Sequence, residues 1–504
     1  LTECILQNLY IYDIKMSPIS SNIIASQSMA KQWKIQESDF AKNTFNPIRS
    51  LLKTLKGNAN PSKDLIDLSL GDPTVFGNLK PHENIIKAFE DSLRSGKYNG
   101  YGPSTGHAIA RKAVAEHVSI PGAEVTADDV ILTSGCSTAL DHCITVLAGK
   151  GQNILVPRPA FPLYKTLADG FGIESKEYSC IPERNWEIDL QSLEDAIDEN
   201  TAAIVVNNPS NPCGAAFSPK HLKDVIRIAE LHKIPIIADE IYDYFTFSDD
   251  FEFVPMASLT SEVPILSCGG LTKRFLVPGW RLGWLVIYDR NNLFLNSGIT
   301  NALERLTQRQ IGPNTVVQGA LPAILKETPK EFHSNTISVV KSTAEMVFRK
   351  LEGIQGLNPI MPSGAMYMMV HIDSQYFPQF SSDMDFVKKL IEEESVFPLP
   401  GKCFNCPNFF RIVLTTPASL FETAFERLEQ FCNRHRVPSK SLKLEFDGGF
   451  DSTLSMSSFY QPDTEEFHRQ SEASEDEGIK LKKNVSSVNQ MSMFKKRSVV
   501  SREA

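Results

Sequence analysis

Ile265-Leu-Ser-Cys-Gly-Gly-Leu-Thr-Lys-Arg-Phe-Leu-Val-Pro-Gly-Trp-Arg-Leu-Gly-Trp284 is the stretch that decides how the chain reads. It opens as an apolar strand, and Gly269-Gly270 reads as a turn after it. Lys273 follows inside a mostly apolar run. Arg281 comes after a Pro278-Gly279 turn. A lysine just past a strand end, flanked by small residues, is placed to point its amine into a cleft. Where a cleft excludes water, a lysine pKa falls and the amine becomes nucleophilic toward carbonyls. An arginine one short loop away carries a planar fork that suits a phosphate. The same window also fits a solvated Lys and Arg flanking a β-turn, since most lysines are solvated. The rest of the chain decides between the two.

The chain has 504 residues, room for two or three domains. Its 42% hydrophobic content is that of an ordinary soluble globular protein. Net charge is −9, with no long basic run except near the end, which argues against nucleic acid as the main ligand. No apolar segment approaches the roughly 18 residues that a membrane span requires. The nine cysteines are scattered and read as reduced intracellular thiols. Cys403-x-x-Cys406 is the close pair. With no second Cys or His pair at zinc spacing, it reads as a loop, and no metal site is expected. The sequence begins at Leu1, with Met16 and Met29 as candidate starts. The opening segment has neither transit-peptide nor secretory character, so the expected location is cytoplasmic.

Asp39 to Leu55 reads as helical, with a kink or restart at Pro47. Leu65–Leu70 alternates like a short strand and ends at Gly71-Asp72-Pro73. Val130–Ser134, Asn153–Val156, Ala203–Val206, Ile234–Ala238, Pro264–Ser267 and Leu285–Tyr288 are short, β-branched and nearly all apolar. These are strands buried on both faces of a mostly parallel sheet. Helical segments such as Pro219–His232 lie between them. The expected fold is therefore α/β, with ligands at the strand C-terminal ends. Past Gly312 the pattern changes. Ile337, Val340, Ala344, Val347 and Leu351 mark a long helix, Ala365–Ile372 and Phe409–Thr415 read as strands, and a last helix carries Phe421, Phe425, Leu428 and Phe431. The expected division is a flexible segment (1–38), the first part of a smaller α+β domain (39–78), a large domain (79–312), the rest of the small domain (313–436), and a disordered Ser- and charge-rich tail (437–504). Ser471, Ser474 and Ser498 in that tail are charge-flanked and are candidates for phosphorylation, although a solvated tail is the favoured reading of them.

Five further stretches fall where strand-end chemistry is expected. Thr133-Ser-Gly-Cys-Ser137 opens an apolar helix, whose backbone N–H groups suit a phosphate; alone it also fits an N-cap serine. Pro157-Arg-Pro-Ala-Phe161 offers Phe161 to stack on a flat ring, or to fill the core. Asn207-Asn-Pro-Ser-Asn-Pro-Cys-Gly214 repeats Asn-Pro steps, which hold a carboxamide in extended or turn geometry. Ala238-Asp-Glu-Ile-Tyr242 ends an apolar strand in an acidic pair. A carboxylate there keeps a pyridine nitrogen protonated, and the tyrosine three residues on reaches the ring oxygen. Arg411, inside the apolar strand Phe409–Leu414, needs a partner. A substrate carboxylate is one, through a bidentate clamp; an internal salt bridge is another. Together with Lys273 and Arg281, these stretches point to a lysine that forms a Schiff base with pyridoxal phosphate (PLP).

In this order the residues resemble the fold-type I PLP enzymes, and within them the class I/II aminotransferases that act on tyrosine. The resemblance covers about Phe40 to Cys432. It is carried by Thr44-Phe-Asn-Pro-Ile-Arg49, Leu70-Gly-Asp-Pro-Thr-Val-Phe-Gly-Asn78, Lys97-Tyr-Asn-Gly-Tyr-Gly-Pro103, Asn207–Gly214, Ala238–Tyr242, the lysine stretch and Pro362-Ser-Gly-Ala-Met-Tyr367. It implies a large domain with a mostly parallel sheet flanked by helices, plus a smaller α+β domain. It also implies that Lys273 holds PLP and shuttles the proton, that Asp239 pairs with the ring nitrogen, and that Tyr242 and Asn211 hold the ring oxygen. Phe161 would stack on the ring. Gly135, Cys136, Thr272 and Arg281 would bind the phosphate, with Tyr101 reaching the phosphate of a neighbouring subunit in a homodimer. Gly71, Asn211 and Arg411 would meet the substrate, Arg411 at its α-carboxylate. Thr272 stands where the family pattern has Ala, and adds a hydroxyl beside the phosphate. The implied reaction passes the amino group of L-tyrosine to 2-oxoglutarate, the first step of tyrosine degradation. A broader aromatic or kynurenine-type aminotransferase, a cystine lyase of the same subgroup, and a catalytically silent interaction protein remain as alternatives.

Overall fold

The computed structural model describes Trp33, residues 35–248 and residues 250–437. Most of the 1–38 segment, Met16 and Met29, the tail beyond Val437 and its serines Ser471, Ser474 and Ser498 lie outside the described residues.

The strands, in chain order, are β1 (Ile66–Asp67), β2 (Val130–Thr133), β3 (Asn153–Arg158), β4 (Glu174–Ile181), β5 (Glu187–Ile188), β6 (Thr201–Asn207), β7 (Ile236–Asp239), β8 (Ile265–Gly270), β9 (Gly283–Tyr288), β10 (Leu357–Pro359), β11 (Tyr367–Ile372), β12 (Val396–Phe397), β13 (Leu399–Pro400) and β14 (Phe409–Val413). Eight of them form one sheet in the order β2-β9-β8-β7-β6-β3-β4-β5. Its centre, from β8 to β4, is parallel. β9 runs antiparallel to both neighbours, and β5 antiparallel to β4, so the sheet is mixed at its ends.

The unbroken apolar runs follow from burial on both faces. Successive residues alternate between two cores: Ile237, Leu266, Leu285 and Ile287 enter one, while Ile236, Ile265, Val286 and Tyr288 enter the other. Each fully buried Ile or Leu adds roughly 1.5–3 kcal/mol, an upper estimate. Helices cover the sheet, among them Cys136–Leu147 and Pro219–His232. A second sheet, β10-β11-β14-β13, is antiparallel throughout. The helices Lys330–Glu352 and Ala418–His435 pack beside it through Val340, Val347, Leu351, Phe421, Leu428 and Phe431. β1 pairs in parallel with β12, Ile66 opposite Val396, which ties the N-terminal stretch to the C-terminal one.

The expected restart at Pro47 divides the helical region over 39–55 into two helices, Asp39–Asn43 and Pro47–Lys56. Pro47 starts the second, and the Asn46 side chain caps it by accepting from Arg49 N. The strand expected over 65–70 is only Ile66–Asp67: the pairing with β12 ends where Leu68 N donates to the Phe397 carbonyl at 2.9 Å, and the next donor, Ser69 N, turns to Asp67 Oδ1 at 3.0 Å. Gly269-Gly270 is not a turn. Both residues finish β8, where a Cβ on Gly269 would lie 2.5 Å from Trp284 Nε1 and one on Gly270 would lie 2.9 Å from Gly283 Cα. The chain bends after them, over residues 271–276, and Pro278–Trp280 forms a short 3-10 turn. Among the described residues no helix is long and apolar enough to cross a membrane.

Candidate active site

A cavity of about 660 Å³ opens where β6, β7 and β8 end. Gly71, Cys136, Phe161, Asn211, Asp239, Tyr242, Thr272, Lys273, Arg281 and Arg411 all line it. Gly135 sits against Arg281 just outside the lining. Tyr101 lies elsewhere on the chain surface, 93% exposed.

Lys273 is held in the bend after β8. Its Nζ donates to the Gly71 carbonyl at 2.5 Å and lies 5.6 Å from the centre of the Tyr242 ring. Asp239 ends β7 and is buried. Its Oδ2 accepts from the Tyr164 hydroxyl at 2.6 Å, and its Oδ1 accepts from Ile241 N at 3.3 Å and from the Cys136 thiol at 3.7 Å. Burial pushes the Asp239 carboxyl above its ordinary range, against the pull of these donors. Asn207, which ends β6, donates from its side chain to the Asp239 carbonyl at 3.0 Å and accepts from Asn211 N at 2.7 Å. This braces the Asn-Pro loop against β7.

Gly135 caps the start of the helix Cys136–Leu147 with φ 82°. A Cβ there would strike the Arg281 guanidinium, so only glycine lets the arginine lie over the helix start. Arg281 donates to the Ser134 carbonyl at 3.2 Å and to the Pro278 carbonyl at 3.1 Å. The helix start, its dipole and the guanidinium thus face one spot, an arrangement that could hold a phosphate.

Arg411 is buried at the centre of β14, opposite Met369 of β11 and Leu399 of β13. Its Nη1 donates to Asn211 Oδ1 at 2.7 Å and its Nη2 to the Ser69 carbonyl at 2.7 Å. Its Nε has no partner. The rings of Tyr367 and Phe404 lie 4.2 and 4.8 Å from Cζ. No carboxylate pairs with it among the described residues, so the salt-bridge alternative does not apply. Burial lowers its pKa. A buried cation without a counter-charge is costly, and an entering carboxylate relieves that cost.

Four contributors were not singled out from the sequence. Tyr164 holds Asp239, Asn207 braces the loop, Ser69 anchors Arg411, and Tyr367 shares a 2.6 Å hydrogen bond with the Tyr242 hydroxyl. Each acts through a partner far away in sequence. Only Asn207 and Tyr367 stood inside stretches that were already notable. Asn46, Ile48, Arg49 and Leu52, from the first helical region, line the cavity as well.

A lysine, a buried carboxylate and a glycine-started helix beneath an arginine thus meet at the strand ends of the sheet. The chain belongs to the aminotransferase class I and II family, whose model matches residues 63–428. Within that family it is similar to the tyrosine aminotransferases of Mus musculus and Homo sapiens, each 52% identical over 404 residues, 80% of this chain and 88% of the relative. The crystal structure of tyrosine aminotransferase from Leishmania infantum superposes with a TM-score of 0.77 at 35% identity, covering 81% of this chain and 100% of that one.

Proposed function

We propose that the protein is a PLP-dependent tyrosine aminotransferase. It passes the amino group of L-tyrosine to 2-oxoglutarate and yields 4-hydroxyphenylpyruvate and L-glutamate, the opening step of tyrosine degradation. The observation that carries this reading is Arg411: a buried guanidinium with no carboxylate partner among the described residues and an orphaned Nε, in the cavity that also holds Lys273. It fits the α-carboxylate that an amino acid and its keto acid share.

The residues present fit PLP. The cradle of Gly135, Cys136, Thr272 and Arg281 suits its phosphate. The buried Asp239 carboxylate, without a cation of its own, suits its ring nitrogen. Tyr242 and Asn211 offer donors for its ring oxygen, since Asn211 spends its oxygen on Arg411 and keeps its NH2. Phe161 suits its ring face. When bound, PLP supplies the electron sink that a protonated pyridine provides. The protein does the rest. Arg411 orients the substrate by its carboxylate, and Lys273 takes and returns the proton at Cα. Asp239 holds the ring proton in place, and the partly enclosed cavity limits water.

We read the working form as a homodimer. The exposed Tyr101 then serves the phosphate site of the neighbouring subunit. A cytoplasmic setting goes with the cysteines of the described residues, which are buried and joined in no disulfide. Small molecules are the partners, with neither nucleic acid nor membrane among them.

A substrate panel on the PLP-loaded protein tests this reading. Tyrosine is expected to give the highest kcat/KM with 2-oxoglutarate as acceptor. A higher value with kynurenine, or cleavage of cystine, overturns the substrate while keeping the family.

A further inference from the structure

Tyr367 opens β11 and closes the stretch Pro362-Ser-Gly-Ala-Met-Tyr367, which carried no assigned role. Its side chain is buried and lines the cavity. Three groups given to the chemistry meet on it. Its hydroxyl lies 2.6 Å from that of Tyr242. Its ring lies 4.2 Å from Arg411 Cζ. Its hydroxyl also abuts Gly71, whose carbonyl takes the Lys273 ammonium, so closely that a Cβ at Gly71 would overlap it.

We propose that Tyr367 is a positioning residue that couples the Tyr242 hydroxyl to the Arg411 guanidinium. Its O–H aims the Tyr242 proton, and its ring braces the guanidinium. The proposal rests on the reading of this cavity as a PLP site.

The register places the parts. Tyr367 lies opposite Val413 and Met369 opposite Arg411, so Tyr367 and Arg411 are diagonal neighbours on one face of adjacent strands. Burial pushes the Tyr242 phenol well above its ordinary range, so it keeps its proton. Arg411, Asp239 and Lys273 are the charged groups around the pair. Two phenols in contact share one hydrogen bond, which leaves one O–H free. When Tyr367 donates, the Tyr242 oxygen is filled as an acceptor and its own O–H is left to donate into the cavity. Donation to a ring oxygen of the cofactor favours the deprotonated form of that group.

Tyr367→Phe and Tyr367→Leu, each loaded with PLP, separate the two roles. Tyr367→Phe keeps the ring and loses the hydroxyl. Its kcat is expected to fall roughly tenfold with KM for tyrosine within about twofold, and the pH at which the absorbance of bound PLP changes is expected to move up by roughly half a unit. Tyr242→Phe removes the donor itself and is expected to move the midpoint further, and adding Tyr367→Phe to it is expected to change the midpoint no more, because Tyr367 acts through Tyr242. Tyr367→Leu loses the brace as well. Binding of the unreactive carboxylate 3-(4-hydroxyphenyl)propanoate is expected to weaken about tenfold in it, and to stay unchanged in Tyr367→Phe. A loaded Tyr367→Phe with the wild-type midpoint and kcat overturns the coupling. So does a lowered kcat with an unmoved midpoint and a lowered melting temperature, which marks a merely structural role. If Tyr367→Phe does not fold, Tyr242→Phe alone must give the upward shift, and its absence overturns the proposal. Wild-type protein that binds no PLP overturns the underlying reading instead, a different and separately visible result.

Discussion

The Lys273 ammonium donates to the Gly71 carbonyl at 2.5 Å, across 202 positions of sequence. The contact closes the cavity between the bend after β8 and the segment that follows β1. It sets where the amine rests before a cofactor binds. Gly71 has no room for a side chain, since a Cβ would overlap the Tyr367 hydroxyl. Gly71→Ala is therefore expected to displace Tyr367 or the carbonyl that holds Lys273. Misplacement on that scale costs about 10- to 100-fold in kcat/KM. Steady-state kinetics check it, and wild-type kcat/KM in the variant would contradict it.

Arg411 is expected to serve both substrates, because both carry the carboxylate it clamps. Arg411→Leu should lower kcat/KM for tyrosine and for 2-oxoglutarate alike, each roughly 100-fold, corresponding to about 3 kcal/mol. Arg411→Lys keeps a charge but loses the planar fork and should recover only part of the loss. Separate kinetics with each substrate varied decide the matter. A loss confined to one of them would place the clamp elsewhere.

Glu240 gives a pH dependence of stability. Its Oε1 accepts from Met256 N at 2.7 Å and its Oε2 from the Ser267 hydroxyl at 2.6 Å. Burial outweighs these bonds and pushes its pKa up from 4.5 to about 7. The folded state then binds this proton more tightly than the unfolded one. Stability is expected to fall as pH rises between those values, by up to about 3 kcal/mol from this group. Glu240→Gln keeps the shape and removes the titration. Unfolding curves across that range should show the variant gaining on wild type as pH rises. Parallel profiles would refute the assignment.

Asp243 and Arg274 pair at 2.8 Å, both largely buried, and each follows a residue of the site, Tyr242 and Lys273. The pair staples the two bends together, with Arg274 lying over the Tyr244 ring at 4.4 Å. Removing one partner leaves a buried charge. Asp243→Asn is expected to cost about 2–3 kcal/mol in denaturant unfolding, and the double variant Asp243→Asn/Arg274→Met less than the sum of the single ones. Additive losses would show that the two do not act as a pair.

The central strands were legible because residues such as Ile236 and Ile237 are buried on opposite faces and therefore both had to be apolar. β4 was not. Glu174–Ile181 buries only Tyr178 and Cys180, and its remaining residues are polar enough to hide it. The direction of β9 was also invisible, since an apolar run carries no polarity of its own. Gly269-Gly270 looked like a turn because glycine serves equally where another backbone or ring comes close. In the site, Lys273, Asp239 and Arg411 stood out as charges set in apolar strands or just past their ends. Tyr164 and Tyr367 did not, because a tyrosine in an apolar context is ordinary core until its hydroxyl partner is known.

The central claim is that Lys273 and Arg411 work in one cavity to move the amino group of tyrosine. A single half-reaction tests it most directly. PLP-loaded protein is mixed with L-tyrosine and no keto acid, and 4-hydroxyphenylpyruvate is measured against time. The expected result is about one product per site, then a stop, then resumption on addition of 2-oxoglutarate. Lys273→Ala should slow this by roughly 100- to 10,000-fold. Product released at the wild-type rate by Lys273→Ala, or none from wild type with PLP bound, would contradict it.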